Sequence, residues 1–130
     1  MNNAISKIFD TIFILTFYFL SPLVTGVYIT LNDMKKIGYV YIMTNKHKTT
    51  LYIGVTNNLI RRVHEHKNHF VKNSFTDRYN LEYCIYYEEY PYFYLAIKRE
   101  KELKKWNRQR KEALIKQKNP EWRELVNEFF

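Results

Sequence analysis

Three side chains interrupt the apolar stripes of the helices written into this 130-residue sequence, and each is of a type that does chemistry. Arg62 and His66 stand four residues apart, so a guanidinium and an imidazole share one helical face beside Leu59 and Val63. Glu100 lies three residues after Ile97 and three before Leu103, a carboxylate set into an apolar stripe. Such a set can bind an anion, move a proton and hold a cation. Tyr41 and Tyr52 add two phenols that can lie opposite one another on one face of a hairpin, while Val40, Ile42, Ile53 and Val55 fill the other. Gly54, just after Tyr52 and Ile53, permits a turn or the close approach of another group. Any one of these charges alone reads as a snorkelling or paired helix residue, and most of the 12 tyrosines as packing aromatics. Arg62, His66 and Glu100 together are harder to assign to packing.

The bulk numbers bound what such a site could meet. The chain suffices for one domain with a core and is short for two. Its net charge of +8 and pI near 9.5 imply a polyanionic partner. Residues 1–34 hold one Lys and two Asp, a net of −1, which leaves +9 for the remainder. One cysteine, Cys84, excludes an intramolecular disulfide and a multi-thiolate zinc site and fits a reducing cytoplasm. The histidines His64, His66 and His69 lack cysteine partners, and His64 and His66 point to different helix faces, which argues against zinc.

The elements that must position these residues follow from periodicity. Ile37 to Thr44 and Thr49 to Val55 alternate as two strands of a hairpin around Asn45-Lys46-His47-Lys48. Asn57-Asn58 offers an N-cap for a helix with Leu59, Val63 and Phe70 on its apolar side, and a loop runs through Ser74-Phe75-Thr76-Asp77. Leu81 to Glu88 reads as a third strand, and Pro91, at a first-turn position, opens a long helix to about Trp106. A further helix covers Asn107 to Gln117, and Asn119-Pro120 starts a short last one through Phe129. The order ββαβαα(α) predicts an α/β domain over residues 35–130 with a small three-stranded antiparallel sheet flanked by helices.

Residues 1–34 stand apart. The uncharged stretch from Thr11 to Leu31 is long enough to span a bilayer, with lysines 35, 36, 46 and 48 on its C-terminal flank to hold the domain in the cytoplasm. Three readings stay open: an anchor helix, a buried helix, or an over-extended start with Met34 as the first residue.

Residues Tyr39-Val40-Tyr41 and Tyr52-Ile53-Gly54 resemble the two name-giving motifs of the GIY-YIG nucleases, in particular the small stand-alone bacterial members similar to the nuclease part of the bacterial excision-repair endonuclease. Tyr39 stands where the family has Gly, and Gly38 lies one position too early to replace it. Arg62, eight residues after the motif glycine, and His66, four further on, keep the family spacing; Arg99-Glu100 matches the position of its metal-binding glutamate. Asn119-Pro120-Glu121-Trp122 resembles a C-terminal motif whose Asn or Gln completes the site, although Asn-Pro is equally an ordinary helix start. Val55 stands where some members carry Lys. The resemblance covers residues 37–123.

It implies a metal-dependent endonuclease. Glu100 would hold Mg²⁺, or Mn²⁺ in its place, and Arg62 would stabilise the phosphate in the transition state. Tyr41 would be the base for water, with Tyr52 orienting water or phosphate and His66 positioning Tyr41 or relaying its proton. Gly54, Lys104, Lys105 and Asn119 would touch substrate. Lys98, Lys101, Lys104, Lys105, Arg108, Arg110 and Lys111 could track a phosphate backbone, DNA first and RNA also allowed, while Glu102 and Glu112 among them suit a solvated face. No base-reading module is legible, so sequence specificity should be low. Two other functions compete: a nucleic-acid-binding module without turnover, and a membrane-anchored protein whose basic face meets anionic lipid.

Overall fold

A computed structural model describes residues 35–126. The chain divides into units Met1–Lys35 and Lys36–Phe130, and all described residues but Lys35 fall in the second. The expectations for Thr11–Leu31 and for Met34 lie outside the described residues. Within those described, no helix is long and apolar enough to cross a membrane.

The predicted three-stranded antiparallel sheet forms from β1 (Gly38–Thr44), β2 (Leu51–Thr56) and β3 (Tyr83–Tyr90), in the order β2-β1-β3. Four helices accompany it: α1 (Leu59–Lys67), α2 (Phe75–Arg78), α3 (Phe93–Lys105) and α4 (Arg108–Lys118). β1 is central because its side chains suit burial on both sides, and Val40, Tyr41, Ile42 and Met43 are all buried. Val40, Ile42 and Ile53 face Ala96, Leu103 and Ile115 of α3 and α4, while Tyr41 and Met43 face Leu59 and Val63 of α1. Gly38 lets α3 approach β1, since a Cβ there would lie 2.7 Å from the Ala96 Cβ and 2.8 Å from the Phe93 Cα.

Several expected boundaries move. Ser74–Asp77 is not an open loop: Ser74 caps the single turn of α2 by accepting from the Asp77 N–H at 3.2 Å. α1 stops at Lys67, and His69 then takes a positive φ of 54°, so Phe70 leaves the expected stripe and stands 61% exposed. β3 sits two residues later than Leu81–Glu88. Pro91 precedes Tyr92, the N-cap of α3, and so stands before the helix instead of in its first turn. Asn119 ends α4 instead of starting another helix; none follows through Val126. Arg108 ties α4 to the hairpin, donating to the carbonyls of Thr49 and Lys48 at 2.6 and 2.8 Å.

Candidate active site

The centre of the site is a phenol laid across a glycine. In the antiparallel register Tyr41 is opposite Gly54 and Tyr52 opposite Met43, so the two tyrosines share a face but are diagonal neighbours, not opposite as expected. A Cβ on Gly54 would collide with Cζ and Oη of Tyr41. The motif glycine is therefore the space in which the Tyr41 ring lies.

α1 supplies the cation and the imidazole. Asn58 caps it by accepting from the Arg61 N–H at 3.0 Å, which fixes the turn carrying Arg62 and, one turn on, His66. His66 Nε2 is 2.9 Å from Tyr41 Oη, and its Nδ1 is 3.0 Å from Thr76 Oγ1, itself 3.1 Å from Ser74 Oγ. Burial, followed by the neighbouring Arg62 charge, lowers the His66 pKa to about 4. The ring is thus neutral at physiological pH; one nitrogen donates and the other accepts, so a continuous proton path joins Tyr41 to Ser74. Burial also pushes the Tyr41 phenol well above its ordinary value, with Tyr52 adding to the shift and Arg62 opposing it. Arg62 is anchored by Glu65 Oε2 at 2.8 Å, and Glu65 also pairs with Arg61.

The two phenols differ in depth. Tyr41 is 1% exposed, whereas Tyr52, with ring centroids 6.2 Å from Tyr41 and 5.6 Å from His66, lines an open cavity together with Arg62, His66, Thr76 and Phe75. An anion entering that cavity meets Arg62 and the Tyr52 phenol; Tyr41 lies behind them.

Glu100 comes from α3, not from the hairpin or α1. It is 9% exposed on α3, whose apolar stripe packs on the sheet face opposite the phenols, and its carboxylate pairs with Lys104. It shares no hydrogen bond or ion pair with Tyr41, Tyr52, Arg62 or His66. Among the described residues no group of three His, Cys, Asp or Glu side chains is arranged to hold a metal. One carboxylate suits a hard cation that keeps most of its water, and here the Glu100 carboxylate has the Lys104 ammonium as its ion-pair partner.

Lys105 is exposed. Asn119 is 5% exposed and fully engaged with backbone: its Nδ2 donates to the carbonyls of Ile85 and Arg123 at 2.9 and 2.7 Å, and its Oδ1 accepts from the Arg123 N–H at 2.9 Å. It braces the segment after α4 against β3. Arg110 stacks on Trp106 at 3.7 Å and Arg108 is tied to the hairpin, so these two of the expected backbone-tracking cations have structural partners.

Sequence reasoning missed Thr76, Ser74 and Glu65. The Glu65 pairing was readable as i,i+3 and i,i+4 spacing, and Ser74-x-x-Asp77 is a helix-capping pattern. Arg99 forks onto Glu88 at 3.0 and 3.1 Å, where the Tyr86 phenol also donates at 2.6 Å. Cys84 is buried, its thiol pushed up to about 12, which makes it unreactive.

Comparison with known proteins adds to this geometry. The profile of the GIY-YIG catalytic domain matches residues 37–113. Among solved structures, a UPF0213 protein from Bacillus halodurans, determined by solution NMR, is 26% identical, with 66% of this chain and 89% of that one covered at a TM-score of 0.43. No curated protein matches the chain.

Proposed function

Because the chain belongs to the GIY-YIG nuclease family, we propose that it is a metal-dependent endonuclease that hydrolyses DNA phosphodiesters in the cytoplasm with low sequence specificity, in repair, recombination or processing. The observation that carries this reading is the convergence of Arg62, Tyr52 and His66 on one open cavity, with Tyr41 hydrogen-bonded to His66 behind it.

A phosphodiester resists attack because its oxygens are anionic and its leaving alkoxide is poor. The Arg62 fork would hold the phosphate and take up charge that grows on its oxygens during attack. Water would be oriented by the Tyr52 phenol at the cavity wall, while Tyr41 sits one layer deeper, its proton shared with His66. Tyr52, the phenol that lines the cavity, would then also take the role of base first expected of Tyr41. As the nucleophile's oxygen bonds to phosphorus, its proton would pass to the Tyr52 oxygen while the phenolic proton of Tyr52 leaves to cavity water, the P–O bond to the leaving oxygen would break, and that oxygen would take a proton from water. Arg62 favours the anionic form of Tyr41, against the burial that disfavours it. Glu100 would hold Mg²⁺ or Mn²⁺, whose positive charge would neutralise a phosphate oxygen.

A second reading, a nucleic-acid-binding module without turnover, draws on the pairing of the Glu100 carboxylate with Lys104. The test is incubation of the full chain with supercoiled plasmid and with single-stranded DNA, in Mg²⁺ or EDTA, alongside Glu100→Ala. Metal-dependent nicking that vanishes in the variant supports the enzyme and its metal site. Equal DNA binding by both proteins with no cutting establishes the binding module instead.

A further inference from the structure

Beside the cavity that holds Arg62, a row of rings leads outward from the buried phenol. Tyr52 stacks on Phe75 with centroids 6.3 Å apart and planes at 28°, and Phe75 meets Tyr79 at 4.5 Å. Phe75 is 42% and Tyr79 49% exposed, and Val71 beside them is exposed as well. Single exposed apolar residues are ordinary; a connected aromatic patch opening into a cavity that also holds a cation is not.

The rings are held in place. α2, which carries Phe75 at its first residue, is capped by Ser74, and the Asp77 carboxylate accepts from the Asn73 N–H at 2.7 Å while bonding His69 at 2.8 Å. His69 reaches Glu82 on its other nitrogen at 2.9 Å, so the segment between α1 and β3 is closed by polar links and the rings need no apolar contact to stay where they are.

We propose that Phe75 and Tyr79, continued inward by Tyr52, form a stacking platform for an unstacked nucleobase next to the phosphodiester held by Arg62. The inference rests on the nuclease reading and adds a ligand subsite to it. The charge supports a nucleotide over an apolar protein segment: the cavity joins flat aromatic faces to a guanidinium, the pairing that one nucleotide's base and phosphate require, and the domain's net charge favours a polyanion. The platform would accept any base, because every base presents a π face, so it confers a demand for an accessible base without reading sequence.

The test is fluorescence anisotropy of the full chain in EDTA with two labelled probes of equal length and charge: a ten-nucleotide oligodeoxythymidylate and the same backbone carrying abasic tetrahydrofuran residues. The wild type should bind the thymidine probe about fivefold or more tighter. Phe75→Leu, which keeps apolar bulk without a π face, should bring the two affinities together while leaving the abasic probe's unchanged, and Phe75→Trp should keep the preference. Equal wild-type affinity for both probes overturns the platform. Full preference in Phe75→Leu overturns it too and places base recognition elsewhere on the domain. The outcomes separate from those of the nuclease reading: a chain that nicks plasmid but ignores bases is a nuclease without the platform, and one that prefers bases but never nicks keeps the platform and loses the enzyme.

Discussion

Gly54→Ala puts the packing of Tyr41 to a test whose sign is not obvious in advance. Gly54 lies in β2 with an extended backbone that alanine can adopt, and glycine inside a strand is disfavoured against alanine by about 0.5–1 kcal/mol. A methyl group pointing into open space would therefore stabilise the domain. Here it would meet Cζ and Oη of Tyr41, a ring enclosed by Met43, Leu59, Val63 and Leu81 with no room to retreat. Overpacking of this kind costs about 1–3 kcal/mol. Displacing the phenol also breaks its 2.9 Å hydrogen bond and leaves a nitrogen of buried His66 without its partner, a further ~1–3 kcal/mol. After the alanine gain is subtracted, the net loss is about 1–5.5 kcal/mol, centred on ~3, and at that centre a fall of roughly 12–24 °C in unfolding temperature for a domain of this size. Thermal unfolding followed by circular dichroism reads it. Tyr41→Leu removes the atoms that clash, so Gly54→Ala should cost at least ~1 kcal/mol less in that background than in the wild type. An unchanged or raised unfolding temperature for Gly54→Ala, or strict additivity with Tyr41→Leu, would refute the claim that the glycine exists to admit the phenol.

Arg62→Ala should lower cleavage about a hundredfold or more at unchanged fold, and Arg62→Lys should restore only part of it because an ammonium lacks the planar fork; full recovery with Lys would reduce Arg62 to a simple charge. For His66, the folded pKa of about 4 lies below the value of an unfolded histidine, so the stability tied to its neutral form is complete above about pH 6.5 and is lost as pH falls towards 4. Urea midpoints at pH 7, 5.5 and 4.5 should fall with a slope of up to ~1.4 kcal/mol per pH unit from this group, and His66→Gln should be visibly flatter over that range; identical slopes would place the titration elsewhere. Asn119→Ala strands two carbonyls and one N–H and should cost about 2–3 kcal/mol while leaving the cleavage rate per folded molecule intact at low temperature; a rate loss without destabilisation would return Asn119 to the substrate site.

Local signals were legible where one interaction decides the structure. Strand alternation placed β1 and β2, and Asn58 and Asn107 announced α1 and α4 through side chains that accept the N–H bonds of Arg61 and Arg110. The i,i+4 spacing of Arg62 and His66 put both on the face that meets Tyr41. What could not be read were outcomes set by a second element. The register that sets Tyr41 against Gly54 comes from hairpin geometry, in which Lys48 at φ 57° and the Asn45 side chain accepting from the Thr49 N–H shape the turn. Phe70 kept helical spacing, yet His69 broke the helix in a left-handed conformation tied by its links to Asp77 and Glu82. Asn119-Pro120 fits a helix start by type, and only the carbonyl of Ile85, a long-range acceptor, makes Asn119 a brace instead.

Tyr41 belongs both to the core and to the site, and this shapes what any substitution there can reveal. Its ring fills the space beneath α1, so Tyr41→Phe keeps the volume and removes only the Oη that bonds His66. His66 then retains Thr76 on one nitrogen and loses its partner on the other, which leaves an unsatisfied buried nitrogen while Arg62 and Tyr52 stay where they are. A site built on a central strand buried on both faces gains rigidity from the sheet itself, so its geometry persists without substrate. The same construction means that activity and stability move together for Tyr41, Gly54 and His66 and move apart for Arg62 and Tyr52, which border the open cavity. Chemistry is therefore most cleanly dissected at Arg62 and Tyr52, while the buried three report on how the fold holds them in position.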